Sequence, residues 1–185
     1  RVLYCYPEEI YDELIETIRD EKKICHYLDL PIQHASDRVL KKMGRRTSRA
    51  QLIEIIGKLR KEIPDIALRT TLISGFPGET QEDHEELMAF VDEMEFDRLG
   101  VFTYSQEEDT PAAMMDDQID EEVKKDRQEE LMELQQEVSL DKNEEKIGQS
   151  MIAMVEGYLS DENVYVARTY ADTPGIDGYL FIDTA

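Results

Sequence analysis

The chain has 185 residues, of which 41% are apolar, and its formal net charge is −22. This apolar fraction is enough for a packed core and excludes a chain that is disordered throughout. No apolar run approaches the roughly 20 residues of a membrane-spanning helix, and no basic segment followed by an apolar stretch indicates a signal peptide. We therefore expect a cytoplasmic protein of one domain, or of one domain and part of another.

The excess of acidic residues bears on the class of partner. Nucleic-acid binding depends on Lys and Arg side chains that neutralise phosphates, so a net charge of −22 disfavours DNA and RNA. The same charge would speed the encounter with a basic protein. The alternative is an acidic, solvated surface that binds no partner.

Two cysteines, Cys5 and Cys25, are present. Their separation is not that of a metal-binding motif, and two thiols are too few for a disulfide scaffold. We predict that both are reduced structural thiols and that the chain has no metal site.

The first two thirds of the chain alternate strand and helix patterns. Strands are predicted at residues 2–6, 26–32, 66–74 and 98–104. Ser36 is expected to cap a short helix, and Ser48 with Gln51 forms a capping-box pattern for a helix that ends at Pro64. Such alternation predicts an α/β fold with parallel strands.

Four strands are too few to close a (β/α) barrel, so we expect the C-terminal part of a partial barrel. A long charged helix is predicted over residues 120–146. Beyond Gly148, short alternating runs separated by turn residues predict the beginning of an antiparallel β domain. The predicted domains are residues 1–146 and 147–185.

Ligands of parallel α/β folds bind at the carboxyl ends of the strands. The predicted ends carry Gln33 and His34, the turn 75–80 (GFPGET), and Tyr104. The turn matches neither a Walker motif nor a GxGxxG fingerprint, so it is either a tight βα turn or a place where backbone approaches a ligand. His34 is either a catalyst or a buried, hydrogen-bonded structural residue.

Arg69 is unusual because a central strand seldom carries an arginine. Alternation puts it on one face with Thr71 and Ile73. A buried guanidinium must be paired, and the partner is either a ligand carboxylate or a protein Asp or Glu.

Three segments together resemble the methylthiotransferase branch of the radical S-adenosylmethionine (SAM) enzymes. They are YLDLPIQHASDRVLKKMGRR, ALRTTLISGFPGETQEDHEEL and FDRLGVFTYSQEEDTPAA. The tail resembles the start of a TRAM domain. Within the branch, ARTYADTPGIDGYLFI, PIQHAS and ELMELQQEVSL are more similar to the RimO group than to the tRNA-modifying MiaB group.

The resemblance implies that the full-length protein uses SAM and [4Fe-4S] clusters. The family's cluster-binding cysteines have no counterpart in this sequence, so it predicts no catalytic residue, no metal ligand and an inactive fragment. The positions that match the cofactor-binding parts of the family are Gln33, Ser36, Arg69, Thr71, Gly75, Phe76, Glu79, Phe102 and Tyr104. The expected roles are Arg69 for the methionyl carboxylate, Gln33 for a polar contact, and the backbone near Gly75 and Phe102 beside the adenine.

The RimO group implies a basic substrate, small-subunit ribosomal protein twelve, in which the β-carbon of an aspartate receives a methylthio group. The net charge agrees with this partner better than with tRNA. A MiaB-type tRNA enzyme and a non-catalytic α/β scaffold that binds a basic protein are the alternatives. The predicted partner surface of the tail consists of Tyr165, Arg168, Tyr170, Asp172 and Asp177. Its alternative is that the tyrosines pack on the barrel domain and the acids are solvated.

Overall fold

The computed structural model describes residues 1–183, which form two sheets connected by a long helix. The strands are β1 (Tyr27–Asp29), β2 (Ala67–Ser74), β3 (Arg98–Thr103), β4 (Met154–Leu159), β5 (Val164–Arg168) and β6 (Leu180–Asp183). The helices are α1 (Asp12–Asp20), α2 (Asp37–Lys42), α3 (Arg49–Glu62), α4 (Gln81–Met94) and α5 (Glu121–Glu144).

Strands β1, β2 and β3 form a parallel sheet in that order, as the strand–helix alternation predicted. One side of β2 carries Leu68, Thr70 and Leu72, which are fully buried. The core on this side includes residues of α1, α3, α4 and α5, among them Phe90 and Leu131. The helices therefore cover one face of the sheet.

The predicted strand at residues 2–6 is wrong. Val2 makes one isolated parallel bridge with Leu28. Tyr4 then has a φ of 58°, in the left-handed region that a strand cannot use, and Pro7 begins a 3₁₀ turn. Strand β1 is also shorter than predicted, although Gln33 makes an isolated bridge with Leu72 further along.

The helix starts follow local sequence rules with one exception. The predicted capping box of Ser48 and Gln51 is present at α3, and Thr80 forms another with Asp83 at α4. Ser36 occupies the N-cap position of α2, but its side chain makes no capping hydrogen bond. Its hydroxyl donates a charge-assisted hydrogen bond to the buried carboxylate of Asp83, at 2.6 Å from Oδ1.

Helix α5 confirms the predicted long helix and buries more than its apolar stripe. The sequence pattern predicts an apolar stripe of Ile119, Val123, Leu131, Leu134 and Val138. Leu131 and Val138 are buried and Val123 is exposed, whereas Lys124, Arg127 and Gln135 are buried as well. Each of these three side chains donates at least one hydrogen bond to a partner inside the protein. Gln135 Nε2, for example, donates to the carbonyl oxygen of Phe96 at 2.8 Å.

The tail forms an antiparallel sheet in the order β4-β5-β6, which confirms the predicted change of strand pattern. A β-bulge interrupts the register between Val155 and Gly157. Among residues 1–183, no helix has both the length and the apolar character to cross a membrane.

Candidate cofactor site on the open face of the parallel sheet

The face of the parallel sheet that the helices leave uncovered carries two paired rows of residues. Arg69, Thr71 and Ile73 of β2 lie beside Arg98, Gly100 and Phe102 of β3, respectively. The predicted alternation of β2 is confirmed, because its residues on this face are only partly buried. Phe102 is 61% exposed.

Gly100 makes the middle of this open face shallow. A Cβ atom at this position would lie 3.5 Å from Arg69 Nη2, so any side chain would occupy the space between Arg69 and Phe102. An exposed aromatic ring beside a position without a side chain is a surface that suits a flat ligand.

Arg69 is bound by protein carboxylates, which is one of the two partners considered from the sequence. Its Nη1 donates to Asp29 Oδ1 at 2.9 Å and to Thr71 Oγ1 at 3.1 Å. Its Nε lies 3.6 Å from Asp177 Oδ1 in the tail. The side chains of Asp29 and Asp177 are only 4% and 3% exposed, so all three charges are largely removed from water.

The loop between β5 and β6 packs against the amino ends of the parallel strands. Asp177 accepts a hydrogen bond from the Tyr27 hydroxyl at 2.8 Å, and Asp172 pairs with Arg98 at 2.6 Å. The Tyr170 hydroxyl donates to the Asp65 carbonyl at 2.7 Å.

This packing corrects the expectation for the partner surface. Tyr170 packs on the parallel-sheet unit, as the alternative expected. Asp172 and Asp177 are not solvated as that alternative held, because they pair with Arg98 and Arg69. The other two predicted residues lie on β5 and have neighbours there. Tyr165 packs on Tyr158 with ring centroids 4.9 Å apart, and Arg168 pairs with Glu156 at 2.5 Å.

The turn after β2 is closed by its own glutamate. Glu79 Oε2 accepts hydrogen bonds from the backbone amides of Gly75, at 2.8 Å, and Phe76, at 3.3 Å. Its other carboxylate oxygen binds Arg127 Nη1 at 2.8 Å. An internal carboxylate therefore occupies the amide groups that could otherwise have faced an external anion.

Gly75 is required by packing as well as by backbone conformation. Its φ is +70°, and a Cβ atom there would overlap the side chain of Lys124 in α5. The glycine thus permits close approach of a helix of the same chain. Close approach of the backbone to a ligand was one of the two interpretations of this turn from the sequence.

His34 is fully buried at the end of the β1 segment. Its Nδ1 accepts a hydrogen bond from the Ser36 amide at 2.9 Å. Nε2 is 3.5 Å from Glu79 Oε2. Burial raises the pKa of Glu79, but the contact with His34, the charge of Arg127 and the Gly75 amide outweigh it, and the pKa is lowered.

Gln33 has a strained backbone at the same strand end. Its φ is 71°, which is unfavourable for any residue with a Cβ atom. Hydrogen bonds to β2 hold it there: its amide donates to the Thr71 carbonyl and its carbonyl accepts from the Ile73 amide, each at 2.9 Å. Such strain clusters at functional sites.

Phe76 and Tyr104 pack edge to face, with ring centroids 5.3 Å apart, in a small apolar cluster against which Ile73 of the open face packs. The Tyr104 hydroxyl is buried and has no hydrogen-bond partner within residues 1–183. Unsatisfied buried hydroxyls are uncommon in folded proteins, so this atom is an unused polar group close to the ends of β2 and β3.

Lys124 and Arg127 belong to this region and were missed by the sequence reasoning. The available signal was their spacing, since residues 124, 127 and 131 lie on one side of a helix. The residues at these three positions are all buried in α5. In the sequence alone, Lys124 and Arg127 look like part of a solvated helix face, because their carboxylate and carbonyl partners are not visible there.

Cys5 and Cys25 are both free thiols. Burial raises the pKa of the Cys5 thiol, and the charge of Glu9 adds to this effect. In the part of the chain that the structure describes, no three His, Cys, Asp or Glu side chains are grouped so that they could hold a metal ion. The residues present therefore do not fit an iron–sulfur cluster.

A groove of about 840 Å³ lies between the end of α5 and the tail sheet. Its lining includes Arg98, Lys146, Met151, Tyr170 and Tyr179. It contains none of the nine predicted cofactor residues, and it meets the open face of the parallel sheet only at Arg98.

Comparison with known proteins identifies the family. Residues 2–91 match the Radical SAM superfamily, and residues 147–185 match the TRAM domain. The ribosomal protein uS12 methylthiotransferase RimO of Lachnoclostridium phytofermentans is 61% identical over 184 residues, which cover 100% of this chain and 42% of that protein. The chain belongs to the RimO family.

Other RimO relatives give the same result. The proteins of the same name from Clostridium perfringens (strain ATCC 13124) and Clostridium botulinum (strain Hall) are 54% and 55% identical, over 98% and 99% of this chain. The chain spans about two fifths of the length of these RimO relatives, 40% and 41%.

A solved structure shares the fold. The radical SAM enzyme coproporphyrinogen III oxidase (HemN) from Escherichia coli matches with a TM-score of 0.62 and 22% identity, over 74% of this chain and 32% of that chain. The predicted fold class, a radical SAM α/β unit followed by an antiparallel TRAM-like sheet, is confirmed by this match together with the two family matches.

Three carboxylates should make the free energy of unfolding depend on pH, with stability lost at low pH. Burial raises the pKa of Glu79, Asp83 and Asp172, but hydrogen bonds and nearby charges lower it by more. Their stabilisation is complete above the unfolded-state pKa values of about 4 and is lost as pH falls through the lower folded-state values.

We therefore expect the urea midpoint of unfolding to fall steadily below about pH 5. Asp83→Asn should make this fall shallower, since it removes one of the three groups. A midpoint that stays constant from about pH 6 to about pH 3 would contradict the assignment.

Proposed function

We propose that the full-length protein to which this chain belongs is a radical SAM methylthiotransferase that modifies the β-carbon of an aspartate in ribosomal protein uS12. The observation that carries the proposal is the 61% identity, across the whole chain, to a protein with that named activity. The net charge of −22 supports a basic protein substrate over tRNA. The proposed location is therefore the cytoplasm, with ribosomal protein as the partner.

The open face of the parallel sheet is the proposed SAM site. Gln33, Thr71 and Phe102 are proposed to face the cofactor, with Gly100 leaving room between them. Five further residues are proposed to hold this surface in place: Ser36, Gly75, Phe76, Glu79 and Tyr104. When bound, SAM supplies radical chemistry and a methyl group; the chain's residues bind it and exclude water.

Arg69 remains one of the residues proposed for the SAM site on this face. Asp29 and Asp177 already balance its charge, and a third carboxylate beside them would meet net repulsion. We propose that Arg69 contributes shape and hydrogen bonds to the cofactor. An ion pair with the methionyl carboxylate would require Asp177 to move away.

The proposed division of the chain is a barrel part, residues 1–146, and a TRAM-like part, residues 147–185. The change from parallel to antiparallel sheet supports it, as does the TRAM match. The ion pairs between Arg98 and Asp172 and between Arg69 and Asp177 would hold the two parts together.

A reconstituted assay tests the proposed function. Full-length protein carrying its clusters is incubated with SAM and either purified uS12 or purified tRNA, and both pools are analysed by mass spectrometry. We expect a methylthio group on an aspartate of uS12 and none on tRNA. Modification of tRNA would support the MiaB-type activity instead, and failure to bind SAM would favour a non-catalytic scaffold.

Replacing Gln33 by glycine should separate binding from stability. Glycine relieves the left-handed strain, worth roughly 1–2 kcal/mol, but increases the entropy of the unfolded chain by a similar amount. We expect the free energy of unfolding to stay within about 1 kcal/mol of wild type, while the affinity of the full-length protein for SAM falls about tenfold, the loss of roughly one good hydrogen bond.

Asp109→Gly is the matched control for this substitution. Asp109 also has a positive φ, 63°, and lies in an exposed loop outside the proposed site. It should leave SAM affinity unchanged. An equal loss of affinity in both variants would remove Gln33 from the site.

A further inference from the structure

Helix α5 reaches the proposed cofactor site from the far side of the turn after β2. Arg127 is only 7% exposed and Lys124 only 2%. Neither side chain has been assigned a part in cofactor binding. Each buries a charge, which is costly unless it is paired, so the contacts that compensate this cost indicate what the two residues do.

Arg127 acts on the turn through one carboxylate. Its Nη1 donates to Glu79 Oε1 at 2.8 Å and to the Glu79 carbonyl at 3.2 Å. The other oxygen of the same carboxylate accepts hydrogen bonds from the backbone amides of Gly75 and Phe76. Arg127, Glu79 and the two amides therefore form one continuous chain of charge-assisted hydrogen bonds.

Lys124 connects the same helix to the ends of both strands. Its Nζ donates to the Tyr104 carbonyl at 3.1 Å and lies 5.3 Å from the centre of the Tyr104 ring. Its own carbonyl accepts a hydrogen bond from the Ser74 hydroxyl at 3.0 Å. The ends of β2 and β3 are thus fixed to one helix.

We propose that Arg127 is a positioning residue for the SAM site: through Glu79 it holds the turn after β2, and with it the open face of the sheet, in the binding geometry. This inference rests on the proposed function. It assigns no contact between Arg127 and the cofactor. Its consequence is that loosening the Arg127–Glu79 contact should weaken SAM binding at a distance.

Two measurements on the full-length, cluster-loaded protein test the proposal. Hydrogen exchange by mass spectrometry reports on the amides of residues 74–80, and equilibrium dialysis reports on the affinity for SAM. In Arg127→Gln we expect exchange in this segment to rise at least tenfold and SAM affinity to fall at least fivefold. Arg127→Lys keeps the charge but loses the planar fork, so both values should lie between those of Arg127→Gln and wild type.

Arg49→Gln is the matched control. Arg49 is likewise an arginine that pairs with glutamates, Glu86 and Glu93, but it lies between α3 and α4. It should alter neither exchange in residues 74–80 nor SAM affinity. If Arg127→Gln unfolds the protein, Arg127→Lys carries the test, because it leaves no uncompensated buried carboxylate.

The outcomes separate this inference from the proposed function. Faster exchange with unchanged SAM affinity would make Arg127 merely structural and overturn the proposal, as would an Arg127→Lys variant identical to wild type in both measurements. If wild-type protein binds no SAM at all, the proposed function fails, and the positioning role fails with it whatever the exchange data show. Faster exchange with weakened affinity, and no effect in Arg49→Gln, is the expected result.

Discussion

Replacing Arg69 by methionine is expected to lower the free energy of unfolding by about 3–5 kcal/mol. Methionine fills much of the same volume, so the main change is the loss of a cation between two buried carboxylates. Asp29 and Asp177 would then face each other's charge with little access to water. Urea unfolding monitored by circular dichroism measures the change.

Arg19→Met is the control for this prediction. Arg19 also contacts two acids, Asp20 and Glu62, but all three side chains are at least about one third exposed, and exposed pairs contribute little. It should leave the urea midpoint almost unchanged. An Arg69→Met variant as stable as this control would show that the buried cluster of charges does not hold the tail against the parallel sheet.

Replacing Gly75 by alanine is expected to destabilise the fold by roughly 2–5 kcal/mol. The left-handed φ accounts for about 1–2 kcal/mol of this, and forcing a methyl group against the Lys124 side chain adds about 1–3 kcal/mol. Thermal and urea unfolding of the variant measure the sum.

Gly44→Ala isolates the backbone part of this effect. Gly44 has nearly the same φ, +74°, but no atom lies within 4 Å of the position that its Cβ would take. It should cost only about 1–2 kcal/mol. Equal losses in the two alanine variants would mean that α5 does not press on the turn, and would weaken the positioning role of that helix.

Local patterns predicted the parts of the fold that depend on neighbours in sequence. The alternation of β2 put Arg69 and Thr71 on one face, and the capping box of Ser48 and Gln51 marked the start of α3, because both follow from backbone geometry alone. The first strand was predicted wrongly, because β-forming residues at positions 2–6 gave no sign of the left-handed Tyr4.

The candidate site was predictable only in part. The ends of β2 and β3 were predicted to within one residue, whereas β1 ends three residues before its predicted end. The partners of Arg69 could not be chosen, since Asp177 lies more than a hundred positions away. The buried cations of α5 were missed because hydrophobic periodicity counts Lys124 and Arg127 as solvated residues, although their carboxylate and carbonyl partners are inside the protein.

Mass spectrometry of cells with and without the gene tests the proposed function most directly. Ribosomal protein uS12 and digested tRNA are prepared from both strains and compared for methylthio groups. We expect loss of the group from one aspartate of uS12 when the gene is deleted, and its return when the gene is restored. Loss of a methylthio group from tRNA, with uS12 unchanged, would contradict the proposed substrate.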